Sequence, residues 1–312
     1  MYVVCRFRVN ILISHVNFGN MTSNSFDPNQ SKIGRDQIWD SAAQGYRIWW
    51  PHIEKAAQSL SNRLVELAEI KPGQRILDIA TGIGEPALTA ARIVGSIGHI
   101  LAIDISTEMI AIAKQRAAFN GLQDTIEYRE TEAEDLVLPD LSFDAALCRW
   151  GLMFLPNLNA TLTKVHRSLV SGGRFVAAVW ADEHNVPVIS LGMEIISEYV
   201  QMAAAAASPS VPNPYSLADT NRLTNYLLGA GFRDIRVETV TVTFEFSSGE
   251  DYSCYIQAVS AGARISLSNE SEERKKYIWR KVAECAEIRY ATATGSVRMD
   301  NECICIVATK PE

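Results

Sequence analysis

The residues whose types and spacing can do chemistry lie in Ile76-Leu-Asp78-Ile-Ala80-Thr-Gly82-Ile-Gly84-Glu-Pro-Ala-Leu88 and at Asp104. Gly82 and Gly84 sit where a short apolar run, expected to be a buried strand, turns into a helical pattern. Without Cβ atoms the backbone there can turn tightly and let a ligand come close. Pro86 suits a first helical turn, where its missing N–H costs nothing. The exposed N–H groups of that turn favour an anionic group, a phosphate or a carboxylate. Twenty residues after Gly84, Asp104 ends the next apolar run, where a carboxylate can take both hydroxyls of a ribose. Ligands of open α/β sheets bind at such strand ends. Asp78, four residues before Gly82, is unneeded beside a pyrophosphate and suits a ligand carrying a positive amino group.

This much fits a nicotinamide dinucleotide as well as S-adenosylmethionine, because Ala87 formally fills the third position of the dinucleotide fingerprint. A further signal is Thr131-Glu132-Ala133-Glu134-Asp135-Leu-Val-Leu-Pro139-Asp-Leu-Ser-Phe143-Asp144. There Glu132 can accept from an adenine amino group while the Ala133 N–H donates to the ring. With these residues the chain resembles the class I S-adenosylmethionine-dependent methyltransferases of the small-molecule type. The likeness continues through Cys148-Arg149-Trp150-Gly-Leu-Met-Phe154, Leu169-Val-Ser-Gly-Gly-Arg174 and Leu228-Gly-Ala-Gly-Phe232. Upstream, Trp39-Asp40-x-x-Ala43-x-x-Tyr46 is similar to the opening of the ubiquinone/menaquinone C-methyltransferases. In those enzymes this helix closes over the cofactor, which would bring Tyr46 near the methionyl end.

The resemblance implies S-adenosyl-L-methionine as cofactor, with contacts from Tyr46, Asp78, Ala80, Gly82, Gly84, Asp104, Ile105, Glu132, Ala133 and Arg149. Trp39 stands for Phe, Glu132 for Asp, and the step from Ala133 to Leu138-Pro139 is longer than the pattern. The late substrate-side motifs of the quinone enzymes are not visible in the sequence, so the quinone acceptor is not carried over. His184, His52 and Tyr46 are the candidate catalytic groups; Trp49, Trp50, Met153, Phe154 and Tyr215 are candidate lining of an acceptor pocket.

The elements that must position these groups alternate. Strands are expected at 75–80, 99–104, 125–129, 145–149 and 174–180. Helices are expected at 36–67, 86–94, 107–120 and 158–169, with Gly172-Gly173 as a turn. Such alternation predicts an α/β fold, a doubly wound, mostly parallel sheet with helices on both faces. The resemblance makes it a seven-stranded, Rossmann-like methyltransferase sheet with a helical cap. Residues 36–181 would form the cofactor-binding core with its N-terminal capping helix. Segments 182–227 and 248–298 would form an inserted substrate cap, and 228–247 and 299–312 the closing strands. The alanine run Ala203–Ala207 reads as plain helix. Residues 1–30 read as a disordered leader or as an over-extended start with translation beginning at Met21.

Composition narrows the function. With 29 Lys and Arg against 36 Asp and Glu, the net charge of −7 makes a phosphate-backbone partner a poor expectation. The six cysteines form no CxxC pair and the five histidines are scattered, so neither a metal site nor a disulfide framework is expected. Cys303 and Cys305 would share one face of a strand as buried thiols. No stretch is apolar over the roughly 20 residues a bilayer needs. The expectation is a cytoplasmic monomer or homodimer that moves a methyl group onto oxygen or carbon of a small apolar or aromatic acceptor, without a metal. An NAD(P)-dependent oxidoreductase and a catalytically inactive cofactor-binding module are the alternatives.

Overall fold

A computed structural model describes residues 28–200 and 213–312. The expectations for most of the N-terminal segment and for Ala203–Ala207 fall outside these residues. The chain opens with a 40-residue helix, α1 (Pro28–Leu67), interrupted in composition by Pro51, whose missing N–H removes one bond of the helical ladder. Then follow β1 (Arg75–Ile79), α2 (Ala87–Val94), β2 (His99–Asp104), α3 (Thr107–Phe119), β3 (Ile126–Glu130), β4 (Phe143–Arg149), α4 (Leu158–Ser168) and β5 (Leu169–Trp180). The second half holds α5 (Pro187–Tyr199), α6 (Thr220–Gly229), β6 (Arg233–Phe246), α7 (Gly249–Val259), α8 (Ala261–Ser266), α9 (Glu272–Tyr290) and β7 (Val297–Thr309).

The strands form one open sheet in the order β3-β2-β1-β4-β5-β7-β6. β1 to β5 are parallel, whereas β7 runs antiparallel to both β5 and β6. Because β1, β2 and β4 run parallel, their carboxyl ends share one edge, and strand order reverses there between β1 and β4. Both faces of the central strands are covered, which is why Ile76-Leu-Asp-Ile reads as an almost unbroken apolar run and why Asp78 is 0% exposed. Asp144 fixes the opposite edge: its Oδ2 accepts from the Arg75 N–H at 2.8 Å, tying β4 to the start of β1.

Three expectations are corrected. Gly172 and Gly173 lie within β5, which begins at Leu169 and carries a register shift against β4 where Phe143 and Ala145 pair. β7 begins at Val297, two residues before the expected closing segment 299–312, and Asn301 is buried within it. The Asn301 side chain donates to the carbonyls of Val242 and Met299 and accepts from the Val188 N–H. Pro86 caps α2 instead of opening its first turn. Cys303 and Cys305 do share a strand, both fully buried.

Helices α5, α7, α8 and α9 pack on one another and, through α5, α9 and α7, against β7 and β6, with Ile196, Ala263, Leu267 and Ile278 forming a separate apolar cluster. Helix α6 instead packs on α4 and β6, against the sheet. Helix α1 spans the two layers, touching α3, β6, α7 and α8. No described helix is long and apolar enough to cross a membrane.

Candidate cofactor and acceptor site

The strand-to-helix turn after β1 is shaped by three residues with positive φ: Ala80 (54°), Gly82 (55°) and Gly84 (106°). Ala80 is the costly member, since an L side chain rarely adopts that region, and such strain collects at functional turns. At Gly82 a built Cβ meets nothing within 4 Å, so the turn leaves open space where a ligand can approach. At Gly84 the reason is packing: a Cβ would crowd Leu88 and Ala113 at 3.2 and 3.3 Å.

Asp104 ends β2 beside this turn. Its Oδ2 accepts from the Gly82 N–H at 2.7 Å and its Oδ1 from the Ser106 N–H at 2.9 Å. The turn and the acid are therefore one unit. Burial raises the Asp104 pKa, against the pull of these backbone donors. Ile105, beside it, is half-buried.

Asp78 differs from expectation in what it serves. The N–H groups at the start of α2 were expected to face a ligand anion, and the Ala87 N–H donates instead to Asp78 Oδ2 at 3.1 Å. Its Oδ1 is buried and makes no hydrogen bond of good geometry among the described residues, and neither does Thr81 Oγ1, although the Thr81 hydroxyl lies close enough to hold the Asp78 pKa down in part. Desolvation pushes the carboxyl up to about 7. An unsatisfied buried acceptor costs about 1–3 kcal/mol unless something donates to it. A ligand ammonium fits that vacancy in the hydrogen-bond pattern.

Arg149 closes the other side. Its guanidinium donates to Ser61 Oγ of α1 at 2.7 Å, lies 5.1 Å from the Trp150 ring, and sits among Glu85, Glu54 and Asp78. Arg116 bonds Glu54 Oε2 and the Ile83 carbonyl. Burial and the Glu85 neighbour push Glu54 up to about 7. These charges pin α1 to the glycine turn, a network that sequence reading missed because its members are spread from 54 to 149.

Helix α1 also meets the turn through Ile83, packed with Ala42, Ala43, Met109 and Ile112. Asp40 Oδ1 accepts from Ser106 Oγ at 2.5 Å and from the Glu108 N–H at 3.3 Å, so α1 docks on the start of α3. Glu132 follows β3 and pairs with Arg35 of α1 at 3.0 Å, while Ala133 is buried beside it. Tyr46 is half-buried, its phenol within electrostatic reach of Arg264, Arg149 and Asp104, and burial raises its pKa. The structure thus gathers Tyr46, Asp78, Ala80, Gly82, Gly84, Asp104, Ile105, Glu132, Ala133 and Arg149 at one sheet edge under one helix.

Two candidates are not brought there. His184 is exposed on the short turn Glu183–Asn185. His52 faces β6, stacked on Phe246 at 4.7 Å, beside a cavity of about 290 Å³ lined also by Lys55, Thr243, Glu245 and Arg298. Of the expected lining, Trp50 turns away towards α3, under the Arg116 guanidinium at 4.6 Å, while Phe154 packs edge-on against Trp39 and Trp49 edge-on against Tyr255. Tyr215 keeps a buried hydroxyl without a hydrogen-bond partner among the described residues, and Met153 is buried. Missed in the sequence was the stack of Trp150 on Trp180, 4.2 Å apart and 15° from parallel, with Trp150 Nε1 donating to Cys303 Sγ. Both tryptophans stand at the carboxyl ends of adjacent strands, a position that alone marks them as site candidates. Among the described residues no group of His, Cys, Asp and Glu could hold a metal ion.

Residues 77–177 match the family described as "Methyltransferase domain". Two curated relatives carry the name "Ubiquinone/menaquinone biosynthesis C-methyltransferase UbiE". That of Methylococcus capsulatus is 29% identical over 149 residues, 47% of this chain and 60% of its own; that of Brucella anthropi is 34% identical over 119 residues, 38% and 45%. The chain thus spans about half the length of these relatives. Among solved structures, Haemonchus contortus phosphoethanolamine N-methyltransferase 2, in complex with phosphomonomethylethanolamine and S-adenosylhomocysteine, superposes with a TM-score of 0.55. Identity to it is 18%, covering 90% of this chain and 59% of that one. The matched domain and the superposition show that the chain has the Rossmann-like fold of methyltransferases.

Proposed function

We propose that the protein is an S-adenosylmethionine-dependent methyltransferase acting on oxygen or carbon of a small apolar or aromatic acceptor. The observation that carries this reading is the pairing of Asp104, bonded to the glycine turn at its ribose position, with the buried Asp78 carboxyl at the far end of the same turn, whose Oδ1 makes no hydrogen bond of good geometry among the described residues. A nucleoside with hydroxyls at one end and an ammonium at the other satisfies both acids. A dinucleotide pyrophosphate would instead set its charge beside the buried Asp78. The domain match and the name of the curated relatives support methyl transfer; the acceptor is our extension.

When bound, the sulfonium supplies the methyl group and its own leaving group. The chain's share is to hold and align. Asp104, held in place by the Gly82 N–H, fixes the ribose end, Asp78 the amino end, and Glu132 with Ala133 the base. Orientation of this kind lowers a displacement barrier by several kcal/mol without any protein group forming or breaking a covalent bond. The aromatic surroundings, Tyr46 on α1 and the Trp150–Trp180 stack, exclude water and tolerate a cationic sulfur through their ring faces.

Calorimetric titration of the wild type with S-adenosylmethionine, S-adenosylhomocysteine and NAD(P)H tests the reading. The first two are expected to bind, and Asp104→Ala is expected to weaken both by at least tenfold, the loss of charge-assisted bonds to two hydroxyls. Binding of NAD(P)H alone would overturn the proposal and move the chemistry to hydride transfer.

A further inference from the structure

Most buried or half-buried arginines of the described residues meet an acid: Arg35 pairs with Glu132, Arg116 with Glu54 and Arg174 with Glu69, and Arg149 lies among Glu54, Glu85 and Asp78. Arg264 does not. Its Nη1 donates to the Ala258 carbonyl at 2.7 Å, while Nη2 is buried and has no hydrogen-bond partner among the described residues. The neighbour that bears on its charge is the Tyr46 phenol, not a carboxylate, and burial lowers the pKa of the guanidinium. A buried cation left half-bonded costs free energy that a bound anion would recover.

The backbone holds this pair together. A Cβ at Gly45 would stand 2.0 Å from the Ala258 oxygen, so only glycine lets α1 and the end of α7 touch backbone to backbone. That contact carries α8, and Arg264 on it, against the next residue of α1, Tyr46. Tyr46 in turn lies within electrostatic reach of Arg149 and Asp104, which places the Arg264–Tyr46 pair on the flank of the cofactor turn. Its phenol is protonated at neutral pH, as any tyrosine is, and burial raises its pKa further, so it is a donor.

We propose that Arg264 Nη2 and the Tyr46 hydroxyl form an oxyanion site for the acceptor, which therefore carries a carboxylate or an ionised phenol beside the atom that reacts. The inference rests on the methyltransferase reading above and specifies its substrate class. The cofactor's own carboxylate has the same chemistry, and the test separates the two sources.

Wild type, Arg264→Gln and Arg264→Lys are each saturated with S-adenosylhomocysteine and titrated with 4-hydroxybenzoate and hexanoate, and with the neutral probes 4-hydroxybenzyl alcohol and hexanol. The loaded wild type is expected to bind each anionic probe at least tenfold tighter than its neutral counterpart. Arg264→Gln should erase that preference, Arg264→Lys should keep most of it, and the affinity for S-adenosylhomocysteine should stay within twofold throughout. Equal binding of charged and neutral probes by the wild type overturns the proposal. So does an Arg264→Gln variant that loses S-adenosylhomocysteine affinity tenfold and leaves the probe preference intact, which assigns the guanidinium to the cofactor's carboxylate. Failure of the wild type to bind S-adenosylhomocysteine overturns the methyltransferase reading itself, and this one with it.

Discussion

Asp78 concentrates the site's chemistry in one carboxyl group. It is fully buried, one oxygen accepts from the Ala87 N–H, and the other makes no hydrogen bond of good geometry among the described residues. Burial raises its pKa from 3.8 to about 7. A carboxyl whose folded pKa lies above its unfolded value takes up a proton on folding between the two. Its favourable contribution is complete below about pH 4 and is lost as pH rises to about 7, at up to ~1.4 kcal/mol per pH step. Asp78→Asn carries no ionisation cost. Without ligand the variant is therefore expected to gain stability relative to wild type as pH rises, by about 2 kcal/mol between pH 5 and 7. Urea unfolding at a series of pH values measures it, and a difference that does not change with pH would show that Asp78 stays ionised in the fold. The same variant should bind S-adenosylhomocysteine at least tenfold more weakly at pH 8, because an amide cannot neutralise an ammonium.

At the scale of elements, the site depends on where α1 lies. Asp40 on the start of α3, Glu54 on Arg116, Ser61 on Arg149 and Glu132 on Arg35 are four separate ties between α1 and the sheet edge. A fifth is steric. Replacing a glycine inside a helix by alanine ordinarily gains about 0.5–1 kcal/mol through backbone entropy. Gly45→Ala should reverse that sign, because the new methyl has no room beside the Ala258 oxygen. We expect a loss of about 1–3 kcal/mol, the usual cost of overpacking. Gly34→Ala, on the same helix with nothing within 4 Å of its built Cβ, should be neutral or stabilising. Chemical denaturation of the two variants side by side gives the comparison, and equal effects would mean that α1 and α7 do not touch as described. Neither this contact nor Arg264 beside Tyr46 was legible in the chain, since each joins residues more than two hundred positions apart.

Over the whole molecule, legibility followed sequence distance. Asp78, Gly82, Gly84 and Asp104 fall within one β-α-β unit, so local spacing alone placed them at a common strand edge. The long last strand was readable in principle, because Val297, Met299 and Asn301 are buried while Arg298 and Asp300 are exposed, a strict alternation. It was missed because a buried asparagine looks like a solvent residue until Val188, Val242 and Met299 are found around it. The arrangement as a whole makes a further claim. If the ligand bridges the turn after β1, the end of β2, the loop after β3 and the face of α1, its binding must stabilise those parts together, by about 2.7 kcal/mol at a hundredfold excess over Kd. Strands β6 and β7 lie at the far side of the sheet, beyond β5. Hydrogen exchange with and without S-adenosylhomocysteine should therefore slow most at 36–50, 78–87, 104–109 and 131–134. The first half of β6, exposed along its outer edge, should change least. Protection confined to β6 and the cavity beside His52 would place the ligand on the other side of α1 and remove Asp78 and Asp104 from the site.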